Sequence, residues 1–338
     1  MKIKFALPIL LFLFIYNSTE INAQGLLQGT VYSAKDSTAL FGASIYFDGT
    51  SLGVSTNQNG EFKLPLKNTT TSPLVISSLG YETIILNNYN AEENVLLKIY
   101  LDESTESLPE VVLEPDPWSR ERKLRIFKRE FLGSSMAASR CRITNPEVIT
   151  LTYIPSKEVL VAEAKEPLTI INRHLGYEVT YNLTDFRVEF STGSSGLHLA
   201  KMVYFEGLSF FKELKKSPSR KFLKNRKSAY SGSALHFMRS LAARTLTENN
   251  FRIFRKSFEV APYEYFQLNM ENGLIKVKVV ESPITILYRE VEQSALNAED
   301  IFFIDALGNH TPPYGLTVSG HMGGKRAAEM VPLDYNIN

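Results

Sequence analysis

Gly49-Thr50-Ser51-Leu52-Gly53 fits the G-x-S-x-G pattern that can present a serine nucleophile. That chemistry needs a strand before the serine and a helix after it, so that the hydroxyl stands exposed on a sharp elbow. Here a strand-like stretch and the Asn59-Gly60 turn follow, so the pattern reads as a turn containing a serine. The five histidines, His174, His198, His236, His310 and His321, stand in neither H-E-x-x-H nor paired Cys/His spacing. No metal, cofactor or catalytic residue is therefore assigned. A second polar set, Tyr230, Ser231, Gly232, Ser233, His236 and Arg239, is more distinctive. His236 and Arg239 are three apart on an expected helix and could face one ligand or surface together. Tyr230, Ser231, His236 and Arg239 are accordingly the candidate binding residues; helix capping by Ser233 and packing of Tyr230 also account for most of these residue types. A third set is basic: Lys212 to Lys227 carries eight cations against Glu213. Such a run reads first as a solvated loop and helix face; as a binding surface it suits anionic lipopolysaccharide, an acidic glycan or the acidic first domain, and not nucleic acid.

These residues need elements to hold them. From Ser55 to Glu82 the chain reads as strands and turns. Phe62, Leu64 and Leu66 alternate with Glu61, Lys63, Pro65 and Lys67, which makes one face apolar. Asn59-Gly60 predicts a tight hairpin turn with positive φ at both residues. Short strands are expected at 27–32, 44–47, 53–56, 60–66, 74–77, 82–86 and 95–100, a spacing that suggests a β-sandwich. Ser119 to Leu132 predicts a helix capped by Ser119 and ended by Gly133, with Leu124, Phe127 and Phe131 on one face. From Glu147 onward strands are expected at 148–153, 158–164, 178–183, 186–191, 202–206, 265–270, 274–280 and 284–288. Ser233 to Glu248 predicts a helix with Leu235, Met238, Ala242 and Leu246 as its apolar stripe.

The 338 residues suffice for two domains, and a hydrophobic content of 44% supports a real core. The net charge of +1 conceals an asymmetry. Gln24 to Pro117 holds 4 Lys+Arg and 12 Asp+Glu, whereas Trp118 to Asn338 holds 31 and 23. Such a contrast marks a domain boundary and lets the two parts attract one another. Residues 1–23 read as a secretory signal: Lys2 and Lys4 precede the apolar stretch Phe5–Tyr16, which is too short to span a bilayer. No later segment has 18 consecutive apolar residues, so no transmembrane segment is expected in the mature chain. The lone Cys141 permits no intrachain disulfide and is expected to be buried. The expected layout is a signal at 1–23, a sandwich at 24–101, an acidic Pro-bounded linker at 102–117 and a β-rich α+β domain at 118–338.

Several segments carry a resemblance. Leu27-Gln28-Gly29-Thr30-Val31, Ala39 to Ile45, Gly49 to Thr56, Asn59-Gly60-Glu61-Phe62 and Leu79-Gly80-Tyr81-Glu82 resemble the carboxypeptidase regulatory-like domain. That resemblance implies a transthyretin-like β-sandwich and a setting in the envelope of Bacteroidetes. It implies no zinc ligands and no catalytic Glu, since the sandwich is the accessory part of its namesake. Asn57 stands where the family usually has an acidic residue, which weakens an ion-binding reading of that loop. Leu108-Pro109-Glu110-Val111-Val112 resembles the lead-in to the plug of TonB-dependent receptors, but no set of barrel strands follows. Phe131-Leu132-Gly133, Cys141 to Pro146, Ile171 to Tyr177, Arg226 to Ser233 and His236 to Arg239 resemble the region that accompanies this module in the same bacteria, which supplies a domain class and no activity. The expected function is a non-enzymatic, exported envelope protein, periplasmic or outer-membrane associated, that binds a protein or glycan partner. The alternative is a hydrolase or glycan-processing accessory with its site in the second domain; an acidic pair and a His converging in a deep pocket there would favour it, and a shallow pocket with a broad exposed patch would favour binding.

Overall fold

Alternation of apolar and polar residues dominates from Leu26 to Leu101, and the backbone follows it. The computed structural model describes residues 25–65, 72–87, 89, 96–104, 114–193, 197–312 and 315–337. The expected signal and residues 105–113 of the expected linker lie outside the described residues. The strands β1 (Leu26–Ser33), β2 (Ser44–Phe47), β3 (Gly53–Ser55), β4 (Glu61–Pro65), β5 (Leu74–Ser77), β6 (Ile84–Leu86) and β7 (Leu96–Leu101) form two sheets, ordered β4-β1-β7 and β3-β2-β5-β6. Inward residues of both sheets, among them Val31, Ile45, Phe62, Leu74, Ile76 and Leu101, make one core.

The Asn59-Gly60 turn differs from its expectation. β3 and β4 belong to different sheets, so the turn carries the chain across the sandwich and closes no hairpin. Of the pair only Gly60 has positive φ, +72°, and a Cβ there would meet the Val31 carbonyl oxygen at 2.6 Å. Asn57 organises the turn: its Oδ1 accepts the N–H groups of Asn59 (2.9 Å) and Glu61 (3.0 Å). Asn272-Gly273 does close a hairpin, with φ of +51° and +78°.

After Trp118 the apolar side chains gather into two further cores. Helix α1 (Arg120–Leu132) starts as its caps dictate, with Ser119 Oγ accepting the Arg122 N–H and Gly133 at φ +93°. Its Phe127 and Phe131 pack on a sheet of β8 (Cys141–Ile143), β9 (Ile149–Ile154), β10 (Val159–Ala164), β11 (Leu168–Asn172), β12 (Tyr177–Thr192) and β13 (His198–Glu213). The sequence predicts separate short strands at 178–183 and 186–191; the structure runs them together in β12, paired along its length with β13. A register shift between Leu183 and Asp185 absorbs the polar interruption and keeps Leu183 and Phe186 both buried. Cys141 is half-buried against this core, and burial pushes its thiol up to about 12.

Helices α2 (Arg220–Tyr230) and α3 (Ala234–Ala242) lead to the third core. Around it lie β14 (Phe251–Arg255), β15 (Phe258–Val260), β16 (Phe266–Glu271), β17 (Leu274–Val279), β18 (Ile284–Tyr288), β19 (Glu292–Ala298), β20 (Phe302–Ile304), β21 (His310–Thr311) and β22 (Leu316–Ser319), in the sheets β15-β14-β18-β19-β22 and β16-β17-β20-β21. Helix α3 stops at Ala242 rather than running to Glu248. Arg244 takes φ +58°, the Thr245 N–H turns back to Ser240 O (2.8 Å), and the following Thr and Asn residues favour turns. Met238 and Leu246 are buried as expected, Leu246 from the turn; Phe237 and Leu241, outside the expected stripe, are completely buried as well. Among the described residues no helix is long and apolar enough to cross a membrane.

Candidate functional site

The turn from Asp48 to Leu52, between β2 and β3, leaves the sandwich and plugs into the second part of the chain. Backbone hydrogen bonds hold it: Gly49 N–H to Ser209 O (2.7 Å), Phe211 N–H to Thr50 O (3.0 Å) and Leu333 N–H to Gly49 O (2.6 Å). Thr50 thereby pairs in parallel with Phe210 of β13, and Tyr46 stacks on the Phe210 ring with centroids 5.0 Å apart. Both glycines of the G-x-S-x-G pattern serve this contact. A Cβ at Gly49, which has φ +73°, would meet Leu333 at 2.6 Å, and one at Gly53 would meet the Phe210 ring at 2.6 Å. The pattern is thus a docking hook, flanked by strands on both sides as its sequence context predicts. Among the described residues one ion pair, Lys123–Asp116 at 2.5 Å, crosses from the acidic part to the basic part, and it lies at the end of the linker; the hook itself is held by backbone hydrogen bonds and apolar contacts.

Asp48 anchors the hook. Its Oδ1 accepts the Ser209 N–H at 2.7 Å. Burial pushes its carboxyl up to about 6, opposed only in part by the N–H groups of Ser209 and Gly49. Three residues after Asp48, Ser51 donates to Asp334 twice, from its N–H at 2.8 Å and from its hydroxyl at 2.6 Å.

Beside this hook lies a cavity of about 770 Å³, within the range of ligand sites. The hook contributes Ser51 and Leu52, the helices contribute Tyr230, His236, Arg239 and Ser240, and the C-terminal segment contributes Leu333, Asp334 and Asn336. Three of the four candidate binding residues therefore meet on one cavity. Ser231 is not among its lining residues. It ends α2: its N–H donates to Lys227 O (3.0 Å) and its carbonyl oxygen accepts from Lys325 Nζ (2.6 Å).

His236 is buried, where an outward-facing side chain was one expectation. Its Nδ1 accepts the Gly232 N–H at 3.2 Å, which leaves the proton of the neutral ring on Nε2. The ring packs against Tyr230 (4.8 Å) and Phe251 (4.9 Å). Burial holds its pKa below the usual histidine value, a hydrogen bond with Asn249 opposing, so the imidazole is neutral near neutral pH. Arg239 is a clamp: it donates to the carbonyl oxygens of Leu307 (2.8 Å), Tyr335 (2.7 Å) and Leu333. Its fork geometry lets one side chain tie α3 to the 305–308 loop and to the C-terminal segment.

This arrangement does not assemble an activated serine. The Ser51 hydroxyl donates to a carboxylate, and the imidazole nitrogen able to accept a proton already takes the Gly232 N–H. Asp334 is the one carboxylate among the lining residues, where an acidic pair would be needed. Among the described residues no group of three His, Cys, Asp or Glu could hold a metal ion. What the cavity offers is hydrogen bonding without large charge: Ser240, Thr245, Asn249 and Asn336 beside the Tyr230 ring. Asp334 and Asn336 carry no local signal in the sequence, and Ser51 meets Asp334 from 283 positions away, once the hook is docked.

Residues 27–113 match the family model of the CarboxypepD_reg-like domain. The N-terminal part of the chain is a carboxypeptidase regulatory-like domain, a β-sandwich as its strands show. No curated protein matches the chain. A crystal structure of a 9R-lipoxygenase from Cyanothece PCC8801 overlaps 69% of this chain and 49% of its own length, at 10% identity and a TM-score of 0.17. The chain spans about half of that protein, and the overlap carries no argument about fold or function.

Proposed function

We propose that this chain is an exported envelope protein that binds a neutral, hydroxyl-rich partner, a glycan or a glycan-bearing protein, in the junction cavity without altering it. The observation that carries this reading is the cavity itself, about 770 Å³, with uncharged hydrogen-bonding side chains around an aromatic ring. Its charged groups are already engaged, Arg239 by carbonyl oxygens and Asp334 by Ser51. A polyhydroxyl ligand supplies donors and acceptors together, which suits a lining of Asn and Thr side chains that themselves both donate and accept. Export is supported by the charged and apolar N-terminal stretch of residues 1–23 and by the single cysteine.

Calorimetric titration with envelope oligosaccharides tests the reading, alongside the variants Tyr230→Ala and Asn249→Ala. Saturable binding is expected, weakened by each variant, with the ligand recovered intact after long incubation. Conversion of the ligand, or binding that neither variant changes, would sink it. Fractionation of cells tests export separately, and recovery of the protein in the cytosol with Met1 retained would refute it.

A further inference from the structure

We propose that the outer face of α2 and the loop before it form a docking surface for an anionic, phosphate-bearing lipid membrane. Lys215, Lys216, Arg220, Lys221, Lys224 and Lys227 are all exposed, and none pairs with a carboxylate among the described residues. Glu213, the single acid in the run from Lys212 to Lys227, is taken up by Arg226. That arginine is buried, bonds Glu213 through two nitrogens at 2.7 Å each, and stacks over the Tyr177 ring at 3.8 Å. The buried arginine thus takes up the acid of the run, Glu178 faces Lys212 at 4.0 Å, and the six outward cations keep no carboxylate partner among the described residues. Arg173 and Arg140, both exposed and joined by a backbone hydrogen bond of 3.1 Å, extend the surface beyond α2. The His174 carbonyl oxygen accepts from Asn225 Nδ2 of α2 at 2.8 Å, which sets Arg173 beside the helix.

Helix α2 accepts electrostatic costs to present this face. Arg220, Lys224 and Lys227 follow one another at spacings of four and three, so like charges stack along one stripe. Arg220 and Lys221 occupy the first turn, where the helix dipole favours acids, and the first turn holds none. An anionic partner offsets both costs at once. Two apolar side chains separate a membrane from a soluble polyanion: Leu214 and Leu223 stand 36% and 48% exposed among the cations. A surface that meets phosphates with lysines and the acyl boundary with leucines uses both kinds of residue, whereas a dissolved glycan has no use for the leucines. Tyr230, which lines the cavity, lies at the other end of α2, about 15 Å along the axis from Arg220.

Flotation of the full chain with phosphatidylcholine vesicles, alone or mixed with phosphatidylglycerol, tests this. The protein should float with the anionic vesicles only, and less as salt is raised. The triple variant Lys215→Gln, Lys216→Gln and Lys224→Gln should lose roughly a hundredfold in affinity, since each cation near such a surface contributes about a factor of five. Leu223→Ser should weaken flotation several-fold while leaving retention on a heparin column unchanged. Circular dichroism confirms that each variant is folded, as its exposed positions lead one to expect. Failure of the wild-type chain to float overturns the proposal. So does a triple variant that floats like wild type. Heparin retention with no effect of Leu223→Ser on flotation assigns the face to a soluble polyanion and overturns the lipid assignment.

Discussion

Arg239→Ala is the sharpest perturbation of the cavity. The side chain donates to three backbone carbonyl oxygens, two of them, Leu333 and Tyr335, in the segment that walls the cavity and is bonded to the docking hook. A hydrogen bond from a charged donor contributes about 1.5–3 kcal/mol. Water in the cavity can resolvate the freed carbonyls, so the three losses do not add in full, and a net cost of about 3 kcal/mol against local detachment of the segment follows. Such a cost raises the population of the open form about a hundredfold. Amide hydrogen exchange reads it directly at Leu333, whose N–H donates to Gly49 O in the closed form. Exchange at Leu333 should accelerate about a hundredfold, while amides of the sandwich core such as Ile45 keep their rates. Arg239→Lys should fall between, because a compact ammonium cannot match the spread of a guanidinium whose Nε, Nη1 and Nη2 each meet a different carbonyl. Exchange at Leu333 within a factor of about two of wild type would refute the clamp. Equal acceleration across the whole chain would show that Arg239 supports folding in general and not this attachment.

Two further outcomes follow from burial. Asp48 titrates at about 6 in the folded chain against 3.8 for an ordinary aspartate, so the folded state holds the proton more tightly. Its contribution to stability is therefore fully present below the unfolded value and is lost as pH rises through about 6. In Asp48→Asn, which keeps an acceptor for the Ser209 N–H, denaturant unfolding should lose that pH dependence; an unchanged profile would contradict the assignment. Met238 is 1% exposed within the third core, and Met238→Ala should cost about 2–5 kcal/mol in the same measurement. A cost below about 1 kcal/mol would mean that α3 packs differently.

Local signals in the sequence carried far where a single element was at stake. The alternation of Phe62, Leu64 and their polar neighbours marks β4, and Ser119 and Gly133 bracket α1, because propensity and capping act within a few residues. The polar pair Thr184-Asp185 separates the strands expected at 178–183 and 186–191. A long partner, β13, carries β12 through it with a register shift, and no local pattern announces such a partner. Arg226 shows the same limit from the other side. In the sequence it is one cation in a basic run; in the fold it alone turns inward, because Glu213 and the Tyr177 ring wait beneath it.

The candidate site divides along that line. Tyr230, His236 and Arg239 could be grouped from the sequence because they sit within one turn-and-helix unit, and the cavity does bring them together. Their orientation could not be read: His236 turns into the core, and Arg239 spends its fork on carbonyl oxygens about seventy to a hundred positions away. Ser51 and Asp334 meet only because the hook of the sandwich enters the second part of the chain. The strands of the sandwich and the capped helices were legible in the sequence, because short-range periodicity and backbone preference produce them, and the family was legible by resemblance of its motifs. The tertiary structure alone decided the cavity, since its walls are hydrogen bonds between segments whose separation along the chain leaves no trace in either segment.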